Sequence, residues 1–174
     1  MRRILLLVGL CGCASAMPAP PRQPTVLVAD NGLVMGEQPQ GSHTSITAPP
    51  ATVWIAARKA YADLGIPLTF DNPPSHQLGN PSFYRQRTFA GQPMAELVDC
   101  GQGPEGLHAS SFRIYMSLLT TVLPGDDGQT KVDVTLVPYG QDVTEGSSDR
   151  ILCGSKGKIE QMVLDHITAN VPKS

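Results

Sequence analysis

The sequence predicts an α+β domain built on an antiparallel, curved sheet with helices packed against it, and three observations predict it. "SSFRIYMSLLTTVLP" and "TKVDVTLVP" alternate apolar and polar residues on either side of "GDDG", the period-two signature of a half-buried hairpin. "APPATVWIAARKAYADLG" repeats apolar residues at helical spacing between an opening Pro pair and a closing Gly, as a surface helix does. "GSKGKIEQMVLDHITANV" closes the chain with a second helical stripe. Strands gathered between two helices belong to the α+β class.

The elements follow in order. "TVLVAD" (residues 25–30) is β-branched and apolar, and "SHTSIT" (42–47) is a second strand beyond a Gly/Gln/Pro-containing loop. In the first helix Val53, Trp54, Ala57, Ala60, Tyr61 and Leu64 share the core-facing side, and Gly65 takes the position just past its end. "IPLTFD" reads as a strand, "NPPSHQLGN" as a turn into a short one, and "SFYRQRTFA" as a third, with Phe83, Arg85, Arg87 and Phe89 on one face. "GQPMAELVDCG" reads as a brief helix from Pro93 to Gly101. In the hairpin Phe112, Ile114, Met116 and Leu118, with Val132, Val134 and Leu136, face the core. "RILC" is a short strand, and the last helix, capped by Ser155, buries Ile159, Met162, Val163 and Ile167.

Composition sets the limits. The 174 residues are 41% hydrophobic and 16% charged, with 17 Gly and 16 Pro, one domain's length with many turns. The net charge of −2, without a Lys/Arg stripe, excludes a nucleic acid as the expected partner. No run of 18 apolar residues occurs, so no transmembrane helix is expected.

The N-terminus has the layout of an export signal. Arg2 and Arg3 form a positive start, Ile4 to Leu10 an apolar run, and small residues follow. Its end reads in two ways. Ala14-Ser15-Ala16 offers an ordinary cleavage site, whereas Leu10-Cys11-Gly12-Cys13 is similar to the lipobox of bacterial lipoproteins, whose cysteine becomes lipid-modified. The short apolar run and the position of Cys13 favour the second. Residues 1–12 are then a signal peptide, Cys13 the lipid attachment, 13–24 a Pro-rich tether and 25–174 a single α+β domain. An extended tether of about 3 Å per residue gives the domain a reach of roughly 30 Å. Ala14, in place of an Asp that retains lipoproteins at the inner membrane, points to the outer membrane, facing the periplasm.

"PPATVWIAARKAYADLGIPLTFDNPPSHQLGN" resembles the repeated unit of BamC-type lipoproteins of the outer-membrane β-barrel assembly machine, which have helix-grip domains. "SITAPPATVW" is similar to the entry into the first helix of the START/Bet v 1 superfamily, helix-grip folds that hold apolar ligands. Either resemblance implies the same architecture. The first implies a protein partner in the envelope, the second a small-molecule cavity.

Candidate chemistry is sparse. Cys100 and Cys153 remain after the leader, and in an oxidising compartment they are expected to pair. His43, His76, His108 and His166 lack the spacing of a metal site. His108 beside Ser110 and Ser111 has no nucleophile-elbow motif around it, and no cofactor-binding motif is present. Arg85 and Arg87 either face solvent or bind an anion or a partner. The expectation is therefore a non-enzymatic envelope lipoprotein that presents an interaction domain at a membrane to a protein partner. The alternative is a carrier or sensor of an apolar small molecule, with Trp54, Tyr61 and Tyr115 lining its cavity.

Overall fold

The computed structural model describes residues 41–144 and 149–173 in full, and the backbone of residues 26–29 and 32–35. The leader, Cys13 and the tether lie outside the described residues. The first expected strand is present as β1 (Val26–Ala29), and it pairs with an unforeseen β2 (Gly32–Met35) in a separate two-stranded sheet.

The main sheet is antiparallel and six-stranded. Its centre is the predicted hairpin: β6 (Arg113–Pro124) and β7 (Thr130–Gln141) pair from Arg113↔Gln141 to Pro124↔Thr130. β5 (Gln77–Gln86) lies on the far side of β6, with the short β4 (Phe70–Asn72) at its edge. On the other side, β7 carries two partners along one edge, β3 (Ser42–Ile46) and β8 (Arg150–Leu152). The expected short strand and third strand are thus one strand. A register shift opposite Met116–Leu118 marks the bulge that bends it near Pro81.

Both long helices cover one face of this sheet. α1 (Pro50–Asp63) opens with Pro50 in its first turn. It ends in a Schellman motif, where Gly65 at φ +63° lets the Gly65 and Ile66 N–H groups reach the Ala62 and Tyr61 carbonyls. α4 (Lys158–Asn170) packs beside it, and the Asn170 amide donates to Asp63 Oδ2 at 2.9 Å, tying the two C-terminal ends together. Beneath them β6 and β7 stack core rungs Leu118↔Leu136, Thr120↔Val134 and Val122↔Val132, all buried. Val53, Ala57, Ala60 and Tyr61 of α1 and Ile159, Val163 and Ile167 of α4 fill the space above, as their spacing predicts. Trp54 and Met162 are only half-buried at the rim, and Phe112 precedes its strand.

Three local expectations are corrected. The helix expected from Pro93 to Gly101 is a single turn, α2 (Met94–Leu97). Val98 and Asp99 then run extended because they pair with Ser155 and Gly154, and a second single turn, α3 (His108–Ser111), precedes β6. Arg87 does not share a strand face with Arg85: β5 stops at Gln86, and Arg87 turns the chain at φ +67°. Ser155 is not the N-cap residue of α4, which is Gly157 at φ +75°. The Ser155 hydroxyl instead accepts the Gly157 N–H at 3.1 Å and donates to Glu160 at 2.6 Å, a capping arrangement supplied from two residues before the N-cap.

Candidate docking face

The sheet face turned away from the helices is the most chemically distinctive surface of the domain. Pairing registers place Tyr84, Tyr115, Tyr139 and Leu152 in one row across β5, β6, β7 and β8. At about 4.8 Å per strand spacing the row is roughly 14 Å long. The neighbouring row, by the same registers, is Gln86, Arg113, Gln141 and Arg150. Tyr84 and Leu152 are 55% and 56% exposed. Leu119 and Val137 continue the face as half-buried apolar residues.

Its side chains are held against one another. The Tyr84 and Tyr115 rings lie 5.8 Å apart at 50°, a tilted aromatic pair. The Arg150 guanidinium sits 3.9 Å from the Tyr115 ring centroid, and that of Arg113 5.0 Å from the Tyr84 ring, so both cations rest on aromatic surfaces. Arg113 also donates toward the Tyr115 hydroxyl at 3.5 Å. That hydrogen bond, and the charge of Arg113 and Arg150, hold the Tyr115 phenol below its ordinary pKa. Arg113 Nε and the Tyr139 hydroxyl are buried polar atoms without a partner among the described residues, and burial pushes the Tyr139 phenol up. None of the four ion pairs among the described residues involves Arg113 or Arg150.

The edge of β5 is closed to strand addition where it borders this face. Pro81 has no N–H, the Ser82 N–H is taken by Asn80 Oδ1 at 2.8 Å, and the Tyr84 carbonyl accepts from Arg85 at 2.9 Å. Arg85 also donates to the Gly65 carbonyl past the end of α1, and its cation lies 5.4 and 5.9 Å from the Phe83 and Phe89 rings. Its charge therefore serves the fold. A free edge invites pairing with another chain, and these devices blunt it.

The other sequence candidates fall elsewhere. Cys100 and Cys153 form a disulfide with Cα atoms 4.3 Å apart, stapling the segment after α2 to the start of the last helical unit. Tyr61 is fully buried between α1 and the sheet, its hydroxyl 3.0 Å from Thr120 Oγ1, and burial raises its pKa far above the phenol range. Tyr115 is on the opposite face of that sheet. Trp54, Tyr61 and Tyr115 are thus not brought round one cavity, because the alternation of β6 sends Tyr115 away from the helices. The His108 ring stacks on Phe112 at 4.5 Å with Nδ1 3.2 Å from the Cys100 carbonyl, and the Ser111 hydroxyl reaches the His108 backbone rather than its imidazole. The Tyr/Arg rows went unrecognised in the sequence. Their only signal there is "FYR" and "FRIY", whose significance depends on strands pairing in one register.

No family model matches the chain, and no curated protein is significantly similar to it. Among the described residues no helix is long and apolar enough to cross a membrane. The two-layer fold leaves the sheet face opposite its helices without a covering helix among the described residues.

Proposed function

We propose that the chain is a non-enzymatic lipoprotein of a bacterial cell envelope, anchored through Cys13, that presents its α+β domain to an envelope protein partner. The observation that carries the docking role is the sheet face turned away from the helices, with its Tyr84, Tyr115, Tyr139, Arg113 and Arg150 rows. Tyr and Arg are the residue types most enriched where binding energy concentrates in protein interfaces. Such residues offer large contact area, and the stacked guanidiniums lose little further freedom on binding. The blunted edge of β5 directs a partner to the face rather than to the strand's backbone. The anchoring role rests on the Arg2-Arg3 start, the short apolar run and Cys13. Multiple acyl chains on one cysteine give the stable attachment that a single chain does not, and Ala14 points to the outer membrane, facing the periplasm.

Intact mass of the protein from the membrane fraction, beside a Cys13→Ser control, tests the anchor. The expected species begins at Cys13 with added acyl mass. A chain beginning at Met17 without that mass rejects it.

A further inference from the structure

The chemistry of the docking face selects a partner. We propose that Arg113, Tyr115 and Arg150 form a carboxylate-receiving fork at its centre, and that the segment docking there is an acidic, extended stretch of a partner protein. This rests on the docking role proposed above. In the pairing register Arg113 and Arg150 flank Gln141, two strand spacings or about 10 Å apart at the backbone. Their side chains converge: Arg113 donates toward the Tyr115 hydroxyl at 3.5 Å while Arg150 lies 3.9 Å from the Tyr115 ring centroid. Two like charges meeting at one phenol repel each other, and an anion between them removes that repulsion. A guanidinium stacked on a ring keeps its in-plane N–H donors for a carboxylate, which it binds in bidentate fashion.

The surroundings decide against a polyanion or an anionic membrane. Both need a broad positive field, and this face has two clustered arginines, with Asp142 and Asp149 next in sequence to Gln141 and Arg150, Lys131 and Asp133 at the far end of β7, and a net chain charge of −2. A localised positive site with apolar Tyr84, Leu152, Leu119 and Val137 around it suits an acidic residue flanked by apolar ones. The row direction, across four strands, suits an extended segment.

The test is an NMR titration of the full chain with a capped dodecapeptide of alternating Glu and Val, beside its Lys/Val counterpart. Saturable shifts in the Arg113, Tyr115 and Arg150 signals are expected with the acidic peptide alone. Arg113→Gln/Arg150→Gln should weaken that binding at least tenfold, and Lys131→Gln less than twofold. Native-like spectra of all variants establish that they fold. Absence of saturable binding, equal losses in both variants, or tighter association with phosphatidylglycerol vesicles than with the peptide overturns the proposal. A photo-crosslinking residue at Leu152 in cells separates the two levels. A protein adduct formed while the acidic peptide fails rejects the carboxylate chemistry and leaves the docking face standing; absence of both rejects the docking face as well.

Discussion

The Tyr61 hydroxyl meets the Thr120 hydroxyl at 3.0 Å, a polar pair enclosed between α1 and the central strand where both residues are fully buried. Each group satisfies the other where water cannot. Tyr61→Phe leaves the Thr120 hydroxyl without this partner and should cost about 1–3 kcal/mol. Thr120→Val leaves the phenol only the Leu118 carbonyl at 3.5 Å. The double variant removes both groups at once and should be less destabilised than the sum of the singles. Urea denaturation of the four proteins measures the coupling, and strict additivity would show that the pair contributes nothing.

Gly140 lies under the disulfide. A Cβ there would stand 3.1 Å from the Phe112 ring and 3.3 and 3.4 Å from the Cys153 and Cys100 sulfurs. Gly to Ala in a strand ordinarily stabilises by restricting the unfolded chain, but here crowding should win, with Gly140→Ala costing about 1–3 kcal/mol. The bridge itself spans 53 residues of sequence. Cys100→Ala/Cys153→Ala should lose about 2–4 kcal/mol. Adding Gly140→Ala to that background should cost less, since both sulfurs are gone and only the Phe112 ring still crowds the Cβ. Thermal denaturation distinguishes the cases, and an undiminished cost would place the crowding on Phe112 alone.

The sheet and helices were legible because their signals are local. Alternation in residues 113–136 and the Pro50 to Gly65 helix need no knowledge of distant chain, and the cysteine pairing follows from Cys100 and Cys153 being the two cysteines outside the first 13 residues. The Tyr/Arg rows are not legible in the sequence. Tyr84 stands opposite Tyr115, and Arg150 near Arg113, only because β5 and β8 take particular registers on β6 and β7. The same limit explains the misplacing of Arg87, where a left-handed residue ends an alternation that the side chains alone would continue. The expected brief helix failed for a long-range reason too, since pairing with Gly154 and Ser155 holds Val98 and Asp99 extended.

Glu160 gives the fold a pH dependence of definite sign. It is fully buried in the first turn of α4, with one oxygen bonded by Ser155 and the other without a partner among the described residues. Burial pushes its carboxyl above the ordinary range, against the lowering effects of Ser155 and its own backbone N–H. A folded-state pKa above the unfolded value means that the folded protein holds the proton more tightly. Stability therefore falls as pH rises from the ordinary carboxylate range through the raised value. Glu160→Gln, which cannot ionise, should equal the wild type in stability at acidic pH and exceed it at neutral pH. Chemical denaturation across that range checks the sign, and a difference independent of pH would remove the titration from the account.

Arg85 should act as a guard of the β5 edge as well as a clasp on α1. Its guanidinium holds the Gly65 and Tyr84 carbonyls, and Pro81 denies an N–H to any incoming strand. Arg85→Thr should cost about 1 kcal/mol or more through the lost charged hydrogen bonds. Pro81→Thr/Arg85→Thr frees an N–H and a carbonyl along the same edge, so self-association should rise, because unpaired strand edges recruit further strands. Sedimentation velocity over a concentration series measures it for both variants and the wild type. Destabilisation without any increase in association would leave Arg85 its structural role at the end of α1 and take away its role as an edge guard.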